Sequence, residues 1–396
     1  MIKVENFYWV LFNTLLKPVG LDCRYFYPFG TTEHFIEFQH SAHPFICPER
    51  ASLLPSTIRH RSHALFHFDQ EPIYEESDQT IFRGSQGSHF LRTRILANSE
   101  ISEIKRTFCK TYQLLDWFFF YHGFAALDWY QDSAYIDYDD GFSHAFLSLN
   151  HVITHRRSYR MALTARLIQK GIIADGLVSF HGNREACEIE LRDCHTLLPA
   201  SDRLLIDQFL LPSKIPFTVD SARVDSSYSA RFGPDEYSMR QKGFVHVVNE
   251  TVFYDSKLHL TEKVFQPIVV MRPFVLVAAP GNLAFLRSYG FRTFSDWIDE
   301  SYDTIQDPTS RLDAIANVLQ DLVSLPRSEL DKMFASMKDT LLYNKKHFFG
   351  EFRRMIVHEM VDNFDTCIRI WNNGRVDDRA LPRHPDLEGA KEVLLR

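Results

Sequence analysis

Apolar positions over residues 142–290 fall into two alternating periods. The runs "FSHAFLSLN" (142–150), "LVSF" (177–180), "FVHVVNE" (244–250) and "PFVLVAAP" (273–280) are short and closed by polar or Pro residues, as buried strands are. Between the first two, "SYRMALTARLIQKG" (158–171) carries Met161, Leu163, Leu167 and Ile168 at helical spacing and ends on Gly171, a helix stop. Strand, helix, strand of this length makes one βαβ unit with parallel strands. "LTEKVFQPIVVM" (260–271) predicts a short helix starting near Thr261 that Pro267 kinks or shortens, and "NLAFLRSYG" (282–290) predicts another that stops at Gly290. From about Thr309 to Trp371 the pattern is mostly helical, broken at Pro326.

The N-terminal part is more irregular and rich in aromatics and histidine. "HALFHFDQEP" (63–72) reads as a strand ending in a polar turn, "TRILANSEIS" (93–102) as a strand that stops at Asn98, and "LDWFFFYHGF" (115–124) as an apolar run ending in His-Gly. Charge and Gly in "IDYDDG" (136–141) mark a linker, and residues 182–242 read as a helix or two with a mobile loop. The expected architecture is α/β, with two Rossmann-like domains facing a cleft. The first spans 1–140 and the second 143–310. A helical segment, 311–375, packs partly back on the first domain, and 376–396 is a loose tail. In open α/β sheets ligands sit at the carboxyl ends of strands, and the polar clusters of this chain lie at such ends.

Composition narrows the function class. A chain of 396 residues suits two domains, and 45 % apolar residues supply large cores. The 34 Phe residues fit packed cores with some stacking surface. A formal charge of −7 argues against a dedicated nucleic-acid binder. Cys23, Cys47, Cys109, Cys187, Cys194 and Cys367 form no C-x-x-C and no zinc spacing, as expected for reduced thiols of a cytosolic protein. The apolar run 7–16 is too short to span a bilayer and reads as a core element, so no transmembrane segment and a cytoplasmic location are expected. No G-x-G-x-x-G follows a strand, no P-loop is present, and the histidines show no zinc spacing.

Two clusters suit a phosphorylated ligand. In "VVNETVFYDSKLHLTEKVFQ" (247–266), Lys263 in the first turn after Thr261 adds a full charge where a helix N-terminus already favours an anion. Glu262 and Glu250 suit the paired hydroxyls of a ribose, since a carboxylate accepts both hydrogen bonds. In "SLNHVITHRRSYRMAL" (148–163), Asn150 ends a strand, and His155, Arg156, Arg157 and Arg160 follow in the turn and helix start. Arg156 and Arg157 are the diphosphate candidates, because planar guanidinium donors bind phosphate bidentately. Asp137–Asp140 lies at a domain boundary, and the acids of "DWIDESYD" (296–303) read as a turn and helix start, so no metal site is expected.

The stretch "NET…HLTEKVFQPIVVMRPFVLV" resembles the donor-binding motif of the α-1,3-fucosyltransferases. In that motif an acidic and an amide residue end one strand, and a Thr-Glu-Lys triplet, a helix and a Pro-led strand follow. The resemblance implies that Glu262 meets the ribose of a nucleotide, that Lys263 meets its phosphates, and that Asn249, Glu250 and Thr261 belong to the same site. The order Asn249-Glu250 is the reverse of the family's. The pieces "HFDQEP", "NSE", "YHGFAALDW", "LTEKVFQPI" and "GFRTFSDWIDESYD" further resemble uncharacterised glycosyltransferases of phages and bacteria. The fold these imply is the glycosyltransferase B type. The activity is transfer of a sugar from a nucleotide-sugar co-substrate to an acceptor hydroxyl, metal-independent and inverting, with no further cofactor. The acceptor is a surface glycan or a hydroxymethylated base of phage DNA. Asp69, Glu71 or His122 would then supply the general base, with Asp69 favoured. A non-catalytic nucleotide- or carbohydrate-binding protein on a degenerate transferase scaffold is the alternative.

Overall fold

A computed structural model of the chain describes residues 120–193, 197–220, 234–359 and 362, with five short strands nearer the N-terminus. The chain divides into two compact units, Met1–Asp128 with Arg353–Arg396, and Trp129–Phe352. Asp69, Glu71, the apolar run 7–16, the loop at 221–233 and the tail 376–396 lie outside the described residues.

In the first unit β1 (Cys23–Arg24), β2 (His43–Ile46), β3 (His63–Phe68), β4 (Thr93–Asn98) and β5 (Gln113–Asp116) pair in parallel, in chain order. Among the described strands the order has no reversal of the kind that makes a switch point in a doubly wound sheet. The strands expected within 63–72 and 93–102 are present, the second stopping at Asn98. The run 115–124 is divided instead: β5 ends at Asp116, and α1 (Phe120–Trp129) follows. A continuous apolar run does not separate strand from buried helix by its period, and Ala125, Ala126 and Leu127 favour the helix. His122 is therefore in the first turn of a buried helix, not at a strand end.

The second unit is built on β6 (His144–Asn150), α2 (Tyr159–Gln169), β7 (Gly176–Phe180), α3 (Arg184–Asp193), α4 (Ala200–Leu205, continued by a wider turn at Ile206–Leu210) and α5 (Pro234–Gln241). Then come β8 (Gly243–Asn249), α6 (Phe265–Val269), β9 (Phe274–Val277), α7 (Asn282–Ser288), α8 (Pro308–Ser324) and α9 (Arg327–His347). The elements follow the apolar pattern, and the stops fall where the glycines are. Gly171 and Gly290 take φ of 71° and 86°, a region that penalises a Cβ. At Gly290 a Cβ would also come 2.8 Å from the His347 ring. Asp307 caps α8 by accepting the Ser310 N–H at 2.7 Å, and Pro308 opens it.

All four strands of this sheet are parallel, in the order β7-β6-β8-β9. Every residue of β8 and β9 is buried, as expected for parallel strands covered on both faces. Helix α8 lies against α2, β6 and β9, and α9 lies against α6. The chain leaves β6 towards β7 and later returns to β8 on the other flank of β6. That reversal is a switch point between β6 and β8, where Ser148 is in register with Val247.

The amino end of the sheet is closed by packing. Phe142, Phe244 and Phe334 meet with centroids 5.2–5.9 Å apart. The buried Arg272 lies over the Phe334 ring at 4.9 Å and donates to the carbonyls of Asp139 and Gly141 at 2.7 Å and of Gln241 at 2.8 Å. The acidic run Asp137–Asp140 is thus anchored at the end of the sheet away from the switch point. In the "DWIDESYD" stretch, Asp303 accepts the N–H groups of Leu283 and Ala284 at the start of α7, at 3.1 and 3.3 Å, and Glu300 accepts from Phe294 N and Thr293 Oγ1. Among the described residues no group of three or more His, Cys, Asp or Glu is placed to hold a metal ion, and no helix is long and apolar enough to cross a membrane.

Candidate functional site

The switch point ends in two asparagines. Asn150 closes β6 and Asn249 closes β8, with 1 % and 4 % of their surfaces exposed. Both donate from Nδ2 to Ser148 Oγ, at 3.4 and 3.2 Å. Neither Oδ1 has a hydrogen-bond partner among the described residues. Turning an amide over would exchange an orphan oxygen for an orphan NH2, so one end of each side chain lacks a partner either way. A buried polar group left unpaired costs about 1–3 kcal/mol. Both side chains stand at the strand ends where open α/β sheets take ligands.

Buried polar side chains fix the loops around this point. Arg160, in the first turn of α2, donates to the carbonyls of Val152 at 2.7 Å, Asn249 at 2.8 Å and Glu250 at 3.4 Å. The Tyr159 hydroxyl adds a bond to the Glu250 carbonyl at 2.6 Å, and burial raises its pKa, which keeps it a donor. The chain after β6 is thereby tied to the chain after β8. The Glu250 side chain, fully buried, accepts Thr261 N at 3.1 Å, Thr261 Oγ1 at 2.7 Å and Thr251 N at 3.3 Å. It folds the loop of residues 251–260 back onto the end of β8. Arg311 holds the same loop through the Phe253 carbonyl at 2.6 Å. Asn282 holds it by donating to the Lys257 carbonyl at 3.1 Å and accepting from His259 N at 3.0 Å.

The cations stand further out. Arg156 lies in the turn His155–Arg157 that leads into α2. His155 opens that turn with φ 53°, its N–H donating to the Glu190 carboxylate. A non-glycine residue held there costs of order 1–3 kcal/mol and persists only where its surroundings fix it. The Arg156 guanidinium meets Asp255 Oδ2 at 2.9 Å, and Lys257 Nζ approaches the same oxygen at 3.6 Å. Ser158 Oγ and Tyr254 OH lie 3.2 Å apart across the same two loops. Lys263 Nζ donates to Thr261 Oγ1 at 3.1 Å and to Glu262 Oε1 at 3.0 Å, and both Lys263 and Glu262 are partly exposed.

Of the residues singled out in the sequence, Asn150, Asn249, Arg156, Glu250 and Thr261 come together around the switch point. Glu262 and Lys263 are joined to Thr261, and Arg157 shares the turn of Arg156. The expected helix dipole beside Lys263 is small, because Glu262–Val264 is a tight turn and α6 has only five residues. Helix α2, at the switch point, is the longer one. His122 belongs to the other unit. Sequence reasoning missed Asp255 and Lys257, which look like an ordinary polar loop until Arg156 is set beside them. It also missed His181 at the end of β7, whose Nε2 meets Asp220 Oδ1 at 3.2 Å and whose ring lies 4.7 Å from that of His151. A histidine directly after a strand was the available signal.

No protein-family model matches the chain, and no curated protein matches it. The functional reading rests on this geometry and on the motif. The arrangement sets polar, partly unsatisfied strand ends beside loops that carry arginine and lysine, residue types suited to an anion that also offers hydroxyl or amide groups.

Proposed function

We propose that the chain is a glycosyltransferase of the two-Rossmann B type that binds a nucleotide-sugar at the β6–β8 switch point. The observation that carries this reading is the pair of buried side chains of Asn150 and Asn249, each with an unpartnered amide end among the described residues, at the carboxyl ends of β6 and β8. In this reading the diphosphate lies over the start of α2, where Arg156 and Arg157 face it. Lys263 meets its charge from the other loop, and Glu262 takes the ribose hydroxyls. Cationic side chains and backbone N–H groups then stabilise the leaving diphosphate in place of a divalent ion. Glu250 is assigned a different task from the one its motif position suggests. Its carboxylate is consumed by Thr261 and Thr251, so it holds the Thr261-Glu262-Lys263 segment and does not itself read the ribose. Asp69, which follows the last residue of β3 in the chain, is the proposed general base, with Glu71 and His122 as rivals.

Thermal-shift screening of the full chain against GDP-, UDP-, CMP- and ADP-sugars tests the donor half of this. A ligand at 100 times its dissociation constant adds about 2.7 kcal/mol of stability, a readily seen shift. Slow hydrolysis of the stabilising nucleotide-sugar to free sugar is expected of a transferase and not of a binding protein. Absence of stabilisation by every nucleotide would remove the reading.

A further inference from the structure

The Arg156–Asp255 ion pair crosses from the loop after β6 to the loop after β8, the two strands that flank the switch point. The ties between these loops change with depth. At the base, Arg160 and Tyr159 bond backbone carbonyls and are buried. At the rim, Arg156 and Asp255 keep 23 % and 24 % of their side-chain surface in solvent. Asp255 Oδ2 meets two cations, Arg156 at 2.9 Å and Lys257 at 3.6 Å, and the Lys257 side chain is only 2 % exposed. A partly hydrated pair of this kind is weak, whereas phosphate binds guanidinium bidentately and carries more charge.

We infer that Asp255 is an internal stand-in for the ligand's diphosphate, and that Arg156 and Lys257 form the anion site it fills while the site is empty. This rests on the nucleotide-sugar reading and adds Lys257 and Asp255 to it. When a diphosphate arrives, its oxygens take the two cations and the Asp255 side chain turns out into water. Lys257 then faces an anion of larger charge than the carboxylate it had. The same device sets a threshold. A single phosphate competes poorly with a tethered carboxylate already in place, while a diphosphate offers a second anionic group to the remaining donors of the rim. Displacing Asp255 costs either anion the same, so the preference for a diphosphate comes from its second anionic group, and the carboxylate raises the affinity that either anion needs.

The test is calorimetric titration of the full chain with pyrophosphate, and separately with inorganic phosphate, in the wild type, Asp255→Asn and Asp255→Ser. Removing the competing charge and its repulsion of the incoming anion should tighten pyrophosphate binding by about tenfold or more. It should tighten phosphate binding by a similar factor, since either anion displaces the same carboxylate. Lys257→Gln placed in the Asp255→Asn background should reverse most of the gain. If Asp255 instead positions Arg156 for the ligand, both variants bind more weakly, and the inference falls. If the wild type binds pyrophosphate and the variants bind it no tighter, the inference alone falls. If no form binds pyrophosphate, the nucleotide reading falls together with it. Loss of folding in both variants would make Asp255 a structural residue and overturn the inference as well.

Discussion

Replacing Glu250 with alanine separates two roles that the motif alone confounds. As a ribose ligand, Glu250 would be dispensable for stability and required for binding. As the clamp described above, it should be required for both. Its carboxylate accepts Thr261 N, Thr261 Oγ1 and Thr251 N at 3.1, 2.7 and 3.3 Å within a fully buried setting. Each hydrogen bond to a charged group contributes about 1.5–3 kcal/mol, and the donors left behind carry their own penalty. Against that stands the desolvation cost of the carboxylate, which the substitution removes. The balance is a destabilisation of about 2–4 kcal/mol, since the bonds share one group and do not add. In a unit the size of Trp129–Phe352 this lowers Tm by about 4–16 °C, readable by circular dichroism or differential scanning fluorimetry. Glu250→Gln should fall between, because its amide keeps one acceptor and sets an NH2 against a donor. Nucleotide affinity should weaken in both variants, as Thr261 releases Lys263 and Glu262. Glu250→Ala with wild-type Tm and abolished nucleotide binding would refute the clamp and restore the ribose role.

Lys263→Ala should weaken nucleoside diphosphate binding by about 1.5–3 kcal/mol with little change in Tm, and equal affinity in calorimetry would remove Lys263 from the site. Asp69→Asn should lower turnover by about 100-fold or more with donor affinity kept, and Glu71→Gln and His122→Ala are the controls that would reassign the base. His246 donates from Nε2 to the Arg240 carbonyl at 2.7 Å, and burial pushes its pKa down to about 3. Above about pH 6.5 it is neutral folded and unfolded, so it adds no pH dependence; below that the unfolded chain gains a proton the folded chain refuses, and stability falls by about 1.4 kcal/mol per pH unit. His246→Gln should flatten the wild-type slope between pH 6.5 and 5, and identical slopes would count against a buried neutral His246.

The α/β texture of the second unit was legible because each element sits on its own apolar pattern with its own stop. Gly171 and Gly290 mark helix ends by a backbone requirement, which sequence carries directly. The aromatic run before His122 was not legible, because it is apolar at every position and only the packing decides between strand and helix. The candidate site divides in the same way. Asn150, Asn249 and the Arg156-Arg157 pair could be read because strand ends are positions that sequence fixes. The partners of Glu250 could not, since nothing in the string relates Glu250 to Thr261 until the loop of residues 251–260 is closed. Asp255 and Lys257 have meaning only through a contact with a residue about a hundred positions earlier in the chain.

The basic run His155–Arg160 also had to be sorted by depth. In sequence its arginines look equivalent, a patch for phosphate. In the fold Arg160 is buried and its donors are spent on the backbone carbonyls of Val152, Asn249 and Glu250, beyond or at the ends of β6 and β8. Arg272 and Arg311 do the same at other junctions, bonding the carbonyls of Asp139, Gly141, Gln241 and Phe253. A guanidinium suits this task because its planar donors reach several carbonyls at once and it stays charged. Arg156 stands nearer the rim, and the Asp255 carboxylate it meets is on a side chain that can move away. A carbonyl locked in the chain cannot be displaced, and a carboxylate on a rotatable side chain can. On the proposed reading, the capacity to bind an anion here is set less by the number of arginines at the switch point than by which of them hold a side chain that can be displaced.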